Sequence, residues 1–315
     1  MQPLDLQLNG YKGIDFNADT LSAADLRSAC KAVQQDGGGR MLATIITDRR
    51  DLMVDRISRL AALHAADPLI ADVMIGIHVE GPFISPQTGY VGAHPAAYVL
   101  PASPEVASEL VDAGRGLIRL VTLAPECDAG LATTRWLAER KILVAAGHCD
   151  PSPVTLEEAI DAGLSCFTHL GNGCPLSLHR HDNIIQRVLA ADRLRWVTVI
   201  PDAVHLPPAV IRTVIRAVGI ERVIAVTDAT AAGGMGAGRF SLAGQDVVVD
   251  AKGAAWAPDR SHLVGSTASM SRICEVLRTD VGLSAADIAI VTQVNPARAL
   301  AGAATGHVDQ HCGPG

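Results

Sequence analysis

The chain has 315 residues, of which 49% are hydrophobic, 19% are charged and only 3% are aromatic, so Val, Ile, Leu and Ala must fill its core. This composition is typical of a globular α/β protein. The formal net charge is −7, and no basic run is interleaved with aromatic residues, which makes nucleic acid and anionic membranes poor partners.

Eight short β-branched runs alternate along the chain with longer segments of helical period. They predict strands at residues 4–8, 42–47, 73–79, 117–123, 142–147, 164–168, 196–201 and 222–227. Eight parallel strands joined by helical crossovers can close into a barrel. We therefore predict an α/β fold, a (β/α)8 TIM-like barrel that occupies residues 1–315 as one domain.

Several segments between and after the strands carry their own signals. Thr155 to Glu158 fits a capping box, and Ser284 with Asp287 places a cap before a helix that runs to about residue 300. Residues 233–238 are rich in glycine, but their spacing matches neither the dinucleotide nor the P-loop fingerprint, which predicts a mobile loop. Residues 303–315 are predicted to form a flexible surface tail.

The cysteines and the N-terminal segment indicate where the protein resides. Seven cysteines, an odd number, are scattered through predicted strands and helices, which indicates reduced thiols rather than a disulfide framework. No basic patch precedes an apolar segment near the N-terminus, and no run of about 18 apolar residues is present. The sequence predicts a cytoplasmic protein with no membrane partner.

Four predicted strands end in side chains that can hold a metal ion or move a proton: Glu80, His148, His169 and Asp228. In a closed α/β barrel these ends converge on one face, where the chemistry takes place. A carboxylate with two imidazoles suits one Zn²⁺ ion, with Fe²⁺ and Mn²⁺ as alternatives, and leaves a position open for water. Each histidine alone could be a hydrogen-bonded structural residue, so the prediction rests on their joint placement.

The remaining candidates are assigned from their chemistry. Asp228 suits a general base, since a carboxylate near a metal ion can take a proton from water and deliver it to a leaving group; its alternative is to cap the next helix. His94 lies in a long loop and could donate an N–H to a polarised carbonyl. Asn172, Arg180 and His205 follow the sixth and seventh strands, and the Arg180 guanidinium suits a phosphate or is an ordinary surface arginine.

Together these motifs resemble the N-acetylglucosamine-6-phosphate deacetylase family of the amidohydrolase superfamily. The resemblance runs from Asp5 to about Leu300 and is carried by the segments His78-Val-Glu-Gly-Pro82, Gly92-Ala-His94, Ala146-Gly-His148, Thr168-His-Leu-Gly-Asn172, Val226-Thr-Asp-Ala-Thr230 and Leu263-Val-Gly-Ser266. It implies a metal-dependent barrel enzyme that hydrolyses the acetamido group of an amino sugar phosphate.

The resemblance also implies roles for individual residues. Glu80, His148 and His169 would hold one divalent ion. Asp228 would act as base and then acid, and His94 would polarise the acetyl carbonyl. Substrate contacts would come from five residues: Gly171, Asn172, Arg180, His205 and Leu263. In the family the residues that correspond to Arg180 and His205 come from the partner subunit, which implies a homodimer.

The chain departs from the wider pattern at three places. Gln7 and Asn9 stand where many superfamily members have two histidines, and amides are poor zinc ligands, so one metal ion is expected rather than two. The family wraps a small β-sandwich around the barrel, and that accessory domain is predicted to be absent here. Arg180 to Asn183 replaces the common Arg-Glu-Pro-Gly, which leaves the sugar less firmly implied than the deacetylation.

Two alternatives stay open at this point. The first is an amidohydrolase that acts on another N-acyl compound, a cyclic amide or a deaminase substrate. The second is a non-catalytic sugar-binding barrel. The sequence argues against the second alternative because every residue that the chemistry needs is present.

Overall fold

The computed structural model describes residues 2–305, and its largest sheet is a parallel barrel. The barrel strands are β1 Leu4–Leu8, β4 Arg40–Ile46, β5 Met74–Glu80, β6 Ile118–Leu123, β7 Leu143–Ala146, β8 Cys166–Phe167, β9 Trp196–Val199 and β10 Val223–Ala225. They are hydrogen-bonded in chain order from β1 to β10. All eight predicted strands are confirmed.

The first and last barrel strands meet just beyond the end of β10. The amide of Asp228 donates to the carbonyl of Gln7 at 2.9 Å, and the amide of Asn9 donates to the carbonyl of Ala229 at 2.7 Å. Leu8 and Ala229 form a parallel bridge between these two bonds. These contacts close the sheet, so the predicted (β/α)8 barrel is confirmed.

The helices surround the barrel. They are α1 Ala23–Gln35, α2 Arg50–Ala66, α3 Pro68–Val73, α4 Pro104–Ala113, α5 Ala132–Glu139, α6 Pro153–Asp161, α7 Ile184–Ala190, α8 Pro208–Val218, α9 Met270–Val276, α10 Ala285–Ala289 and α11 Asn295–Thr305. No helix within residues 2–305 has the length and apolar character needed to cross a membrane.

One of the two predicted helix caps is confirmed. Ser284 and Asp287 form a capping box, and the chain from there is helical to Thr305 through α10, a π-helical turn and α11. The cap predicted at Thr155 is wrong. Helix α6 begins earlier, because the hydroxyl of Ser152 accepts the amide of Thr155 and Pro153 suits the first helical position.

Apolar side chains fill the lower part of the barrel. Leu300 of α11 packs in this inner cluster. Seven strands contribute the following residues to it: Leu4, Leu6, Leu42, Leu120, Leu143, Ala145, Cys166, Trp196 and Ile224. A larger cluster lies between the strands and the outer helices. Since the interior is packed and the chemistry of such barrels takes place where the strands finish, a site is expected at the upper end.

Two small antiparallel sheets accompany the barrel. Strands β2 Gly10–Tyr11 and β3 Ile14–Asp15 form the first, and β11 Gly238–Leu242, β12 Gln245–Val249 and β13 Ala255–Trp256 form the second. Sequence analysis missed the second sheet. Its apolar residues form one buried cluster with Ile46, and the partly buried Ala93 packs against it. The sheet therefore packs on the loop that carries His94.

Other predictions concern the ends of the chain and its domain organisation. Residues 303–305 belong to α11, and the rest of the predicted tail, residues 306–315, lies outside the described residues. The single-domain organisation and the absence of an accessory β-sandwich stay predictions.

Candidate metal and catalytic site

Three buried side chains meet above the packed barrel. Glu80 ends β5, His148 follows β7 by two residues, and His169 follows β8 by two residues. One ligand atom from each lies within 4.8 Å of the others, a grouping that no other His, Cys, Asp or Glu residues form in the part of the chain that is described. Glu80 Oε1 is 2.8 Å from His169 Nε2 and 3.5 Å from His148 Nε2. The three can therefore hold one metal ion.

The backbone turns sharply where these side chains leave their strands. His148, His169 and Asp228 have φ values of 51°, 33° and 49°, in the left-handed region that non-glycine residues rarely adopt. Such conformations cluster at functional sites, where the surrounding structure holds them. A Cβ atom on Gly173 would come within 2.9 Å of the His148 ring, so this position requires glycine.

Hydrogen bonds define how His148 faces the site. Its Nδ1 lies 2.7 Å from the carbonyl oxygen of Tyr90, which can only accept, so Nδ1 carries the proton. Nε2 lies 3.5 Å from Glu80 Oε1, and in the neutral ring it offers the lone pair that a metal ion binds. The Nδ1 atom of His169 is buried and has no partner among the described residues.

Within the trio, the negative charge of Glu80 and positive charge on the His169 ring stabilise each other. Burial alone would raise the pKa of Glu80, but hydrogen bonds from His148 and His169 outweigh it and hold the pKa well below its ordinary value. Burial opposes protonation of His169, but the hydrogen bond and charge of Glu80 prevail and raise the pKa of that ring. Glu80 is thus an ionised ligand in a site that attracts positive charge.

The two amides of the first strand take part in the site as donors. Gln7 Nε2 donates to Glu80 Oε1 at 2.9 Å, and the side-chain oxygen Oε1 of Gln7 accepts the hydroxyl of Thr168 at 2.8 Å. Asn9 Nδ2 donates to Asp228 Oδ1 at 2.7 Å. The sequence analysis treated both residues only as missing ligands, whereas they orient the two carboxylates.

Asp228 lies close to the trio and is partly buried. Burial, and after it the negative charge of Glu80, raises the pKa of Asp228 to about 6, although His169 and His205 act in the opposite direction. A carboxylate with this pKa can take up and release a proton near neutrality. The alternative role of Asp228 as a helix cap is wrong, because Ser269 caps the next helix, α9.

His94 lies beside the trio, brought there by the loop after β5. Its ring centroid is 4.4 Å from that of His148, and its Nε2 is 3.9 Å from Glu80 Oε2. On its other side, Nδ1 lies 2.8 Å from Thr47 Oγ1 and 3.3 Å from the Thr47 amide nitrogen. Burial, followed by the charge of His148, lowers the pKa of His94 to about 3, so the ring is neutral. Sequence analysis missed Thr47.

Three of the predicted substrate-binding residues lie near the trio. Gly171 and Asn172 follow His169 by two and three residues, and Asn172 donates to the His169 carbonyl through both its backbone amide and its side chain. His205 lies close enough to lower the pKa of Asp228, after the larger effects of burial, Glu80 and His169. Its Nδ1 is bonded to Asp202 Oδ2 at 2.8 Å, so Asp202, which sequence analysis did not single out, orients the ring.

No hydrogen bond, ion pair or strand pairing among the described residues links the other two predicted substrate-binding residues to Glu80, His148 or His169. Arg180 is exposed on the loop between β8 and α7, and it has no hydrogen-bond or ion-pair partner among the described residues. Leu263 pairs with Trp256 beside the three-stranded sheet.

The known proteins that this chain resembles include deacetylases of amino sugar phosphates. No family model matches the chain. It is 31% identical to an N-acetylglucosamine-6-phosphate deacetylase of Bacillus subtilis (strain 168), over 94% of this chain and 74% of that protein. It is 28% identical to an N-acetylgalactosamine-6-phosphate deacetylase of Escherichia coli O157:H7, over 94% of this chain and 76% of the relative.

A solved structure matches the fold closely. It is an aspartate-to-alanine mutant of N-acetyl-D-glucosamine-6-phosphate deacetylase from Mycobacterium smegmatis, in complex with N-acetyl-D-glucosamine-6-phosphate. The TM-score is 0.85 at 31% identity, with 95% of this chain and 77% of that chain covered.

Proposed function

Because the chain belongs to the N-acetylglucosamine-6-phosphate deacetylase family, we propose that it hydrolyses the acetamido group of N-acetylglucosamine 6-phosphate to acetate and glucosamine 6-phosphate. The observation that carries the proposal is the buried grouping of Glu80, His148 and His169 at the upper end of the barrel, with Asp228 beside it. These are the groups that metal-assisted amide hydrolysis needs.

The donor set fits a resident divalent ion. One carboxylate oxygen and two imidazole nitrogens suit Zn²⁺, with Fe²⁺ and Mn²⁺ as alternatives, and three protein ligands are typical of a catalytic rather than a structural site. When bound, such an ion lowers the pKa of a water molecule and polarises a carbonyl oxygen. Gln7 and Asn9 donate to carboxylates instead of offering imidazoles, which supports one ion per chain.

The proton transfers are assigned to Asp228. Its carboxylate takes a proton as water attacks the acetyl carbon, and the resulting carboxylic acid gives this proton to the sugar nitrogen as the C–N bond breaks. A pKa of about 6 lets the same group perform both steps near neutral pH. His94 faces the trio with Nε2, where an N–H donor can stabilise the negative charge that develops on the acetyl oxygen.

The sugar phosphate is assigned to the loops around the trio. Gly171, Asn172 and Leu263 would contact the sugar, and Arg180 and His205 would bind the phosphate, since a negatively charged protein needs local cations for an anionic substrate. A homodimer is part of the proposal. Arg180 is exposed without a partner among the described residues, which favours its reaching a neighbouring site. The resemblance implies that His205 also reaches the neighbouring site, but this residue lies near Asp228 of its own chain, which favours contact with the substrate bound there.

The location is also part of the proposal. The six cysteines in the described part of the chain are free thiols, which is typical of a reducing compartment such as the cytoplasm.

A substrate panel tests the proposed function. Metal-loaded protein is incubated with N-acetylglucosamine 6-phosphate, N-acetylgalactosamine 6-phosphate and the two sugars without phosphate, and acetate and ammonia are measured. We expect acetate, and no ammonia, with the highest kcat/KM for the glucosamine phosphate. A preference for the galactosamine phosphate, which the Escherichia coli relative makes worth testing, would change the substrate and keep the reaction. No acetate from any of the four would contradict the proposal.

A further inference from the structure

Thr47 stands between the barrel and the residue that the proposed function assigns to the acetyl oxygen. It directly follows β4, its side chain is 0% exposed, and it contacts His94 across 47 positions of sequence. Two Thr47 atoms approach the same ring nitrogen: the amide nitrogen lies 3.3 Å and the hydroxyl oxygen 2.8 Å from His94 Nδ1.

These two contacts determine which ring nitrogen carries the proton. A backbone N–H can only donate, so the Thr47 amide requires a lone pair on His94 Nδ1. A proton on Nδ1 would point at the proton of this amide. The Thr47 hydroxyl, which is able to donate or accept, must then donate as well. In the neutral ring the remaining proton lies on Nε2.

The proton on Nε2 faces the reacting centre. Nε2 is 3.9 Å from Glu80 Oε2, on the side of the ring opposite to Thr47. We infer that Thr47 is a positioning residue, which fixes His94 in the Nε2–H tautomer and aims that donor at the acetyl carbonyl oxygen. This inference deepens the proposed function and rests on it for the identity of the oxygen. The other tautomer would present a lone pair to the developing oxyanion and repel it.

The surroundings hold both partners in place. A Cβ atom on Gly81 would lie 2.1 Å from Thr47 Oγ1, so glycine at 81 leaves the space that the hydroxyl occupies. Ile46, next to Thr47, belongs to one buried cluster with the three-stranded sheet, and Ala93, next to His94, is partly buried and packs against this cluster. Gln245 of this sheet donates to the carbonyl of Ala93 at 2.9 Å. The threonine and the histidine are therefore anchored to the same packed unit.

The tautomer can be measured without reference to turnover. Protein labelled with ¹⁵N at histidine is examined by long-range ¹H–¹⁵N correlation NMR, and the His94 signals are identified by their loss in His94→Gln. We expect one nitrogen with a bound proton, Nε2, and an imine-type Nδ1 shifted by hydrogen bonding. A His94 ring protonated on Nδ1 would overturn the inference whether or not the protein releases acetate.

The positioning role is tested by Thr47→Val, which removes the hydroxyl and keeps the branched shape. We expect kcat to fall about tenfold with KM within about twofold, because the lost contact orients a group that acts in the transition state. Thr47→Ser, which keeps the hydroxyl, should restore kcat to within about threefold of wild type. Thr133→Val is the matched control, since Thr133 is equally buried, lies on α5 and has no hydroxyl partner among the described residues.

A double-mutant cycle with His94 distinguishes this role from simple packing. If Thr47 acts through His94, then Thr47→Val costs little further activity in a His94→Gln background. Three results would contradict the inference: wild-type kcat in Thr47→Val, an equal loss in Thr47→Ser, or the full loss in both backgrounds. Failure of the proposed function would look different, because the wild type itself would then release no acetate.

Discussion

The metal trio and the predicted phosphate-binding residue Arg180 are held in different ways. The trio's side chains are at most 8% exposed, and each of the three residues is hydrogen-bonded to another strand or loop. Arg180 is exposed on a loop and has no partner within the described residues. The barrel thus holds the trio rigidly, whereas the residue proposed to bind the phosphate stands on an exposed loop.

This difference predicts which changes abolish the reaction and which only change substrate preference. The largest effect is expected for Asp228→Asn, which keeps the shape but cannot take a proton. We expect kcat to fall about 10³-fold with metal content unchanged, as measured by acetate release and by elemental analysis of the same sample. A loss of less than about tenfold would rule out the proposed proton transfer.

Glu80→Gln tests whether the trio holds the metal. The substitution removes the only negative charge among the three ligands, so we expect the dialysed variant to keep less than about a tenth of the metal per chain of the wild type. Elemental analysis after dialysis against a weak chelator measures it. Glu139→Gln, an exposed change at the end of α5, is the control and should keep its metal. Full occupancy in Glu80→Gln would place the ion elsewhere.

Arg180→Ala tests the other end of the site. We expect KM for the phosphorylated sugar to rise about tenfold with kcat changed by less than threefold, since the lost contact binds phosphate in both the ground state and the transition state. The sugar without phosphate should show no change. Arg216→Ala, an exposed substitution on α8, is the control. An equal loss of activity toward both sugars would indicate that Arg180 maintains the structure of the site and does not bind the phosphate.

The smallest effect on turnover is expected at Asp5, which lies in β1. Burial raises the pKa of Asp5 to about 7 despite hydrogen bonds from Thr227 and Gln7, so the folded protein keeps a proton there that the unfolded chain loses near pH 4. Its contribution to stability is therefore complete below about pH 4 and is lost as the pH rises to about 7.

Urea unfolding of metal-free protein at several pH values measures this contribution. The free energy of unfolding of the wild type should fall by about 3 kcal/mol more than that of Asp5→Asn between pH 4 and 7. Asp15 and Asp228, whose pKa values are both raised to about 6 mainly by burial, remain in both proteins and contribute equally. The same pH slope in both proteins would contradict the assignment.

The barrel and the trio could be predicted because the information is local. Each strand is an apolar run of the expected length, and Glu80, His148 and His169 stand at or just past the ends of such runs. Parallel strands bring their carboxyl ends to one face, so the position in each run implied proximity in space. Even β8, which is only two residues long, lies within the strand predicted at residues 164–168.

The features that were missed depend on contacts across the chain. The sheet of β11 to β13 lies against Ile46 and Ala93. The glycine-rich segment that precedes this sheet carries no sequence signal that predicts these contacts. One local signal was available: Ala243 and Gly244, with φ values of 48° and 80°, form a two-residue hairpin turn between strand-like runs. Thr47 was missed because its role depends on the register between β4 and a loop 47 residues later.

The central claim is that one ion per chain, held by Glu80, His148 and His169, drives deacetylation. Metal-free protein is titrated with Zn²⁺ while acetate release from N-acetylglucosamine 6-phosphate is followed. We predict no acetate before addition, a linear rise, and a plateau at one equivalent per chain. Full activity in the metal-free protein, or a plateau only at two equivalents, would contradict the account.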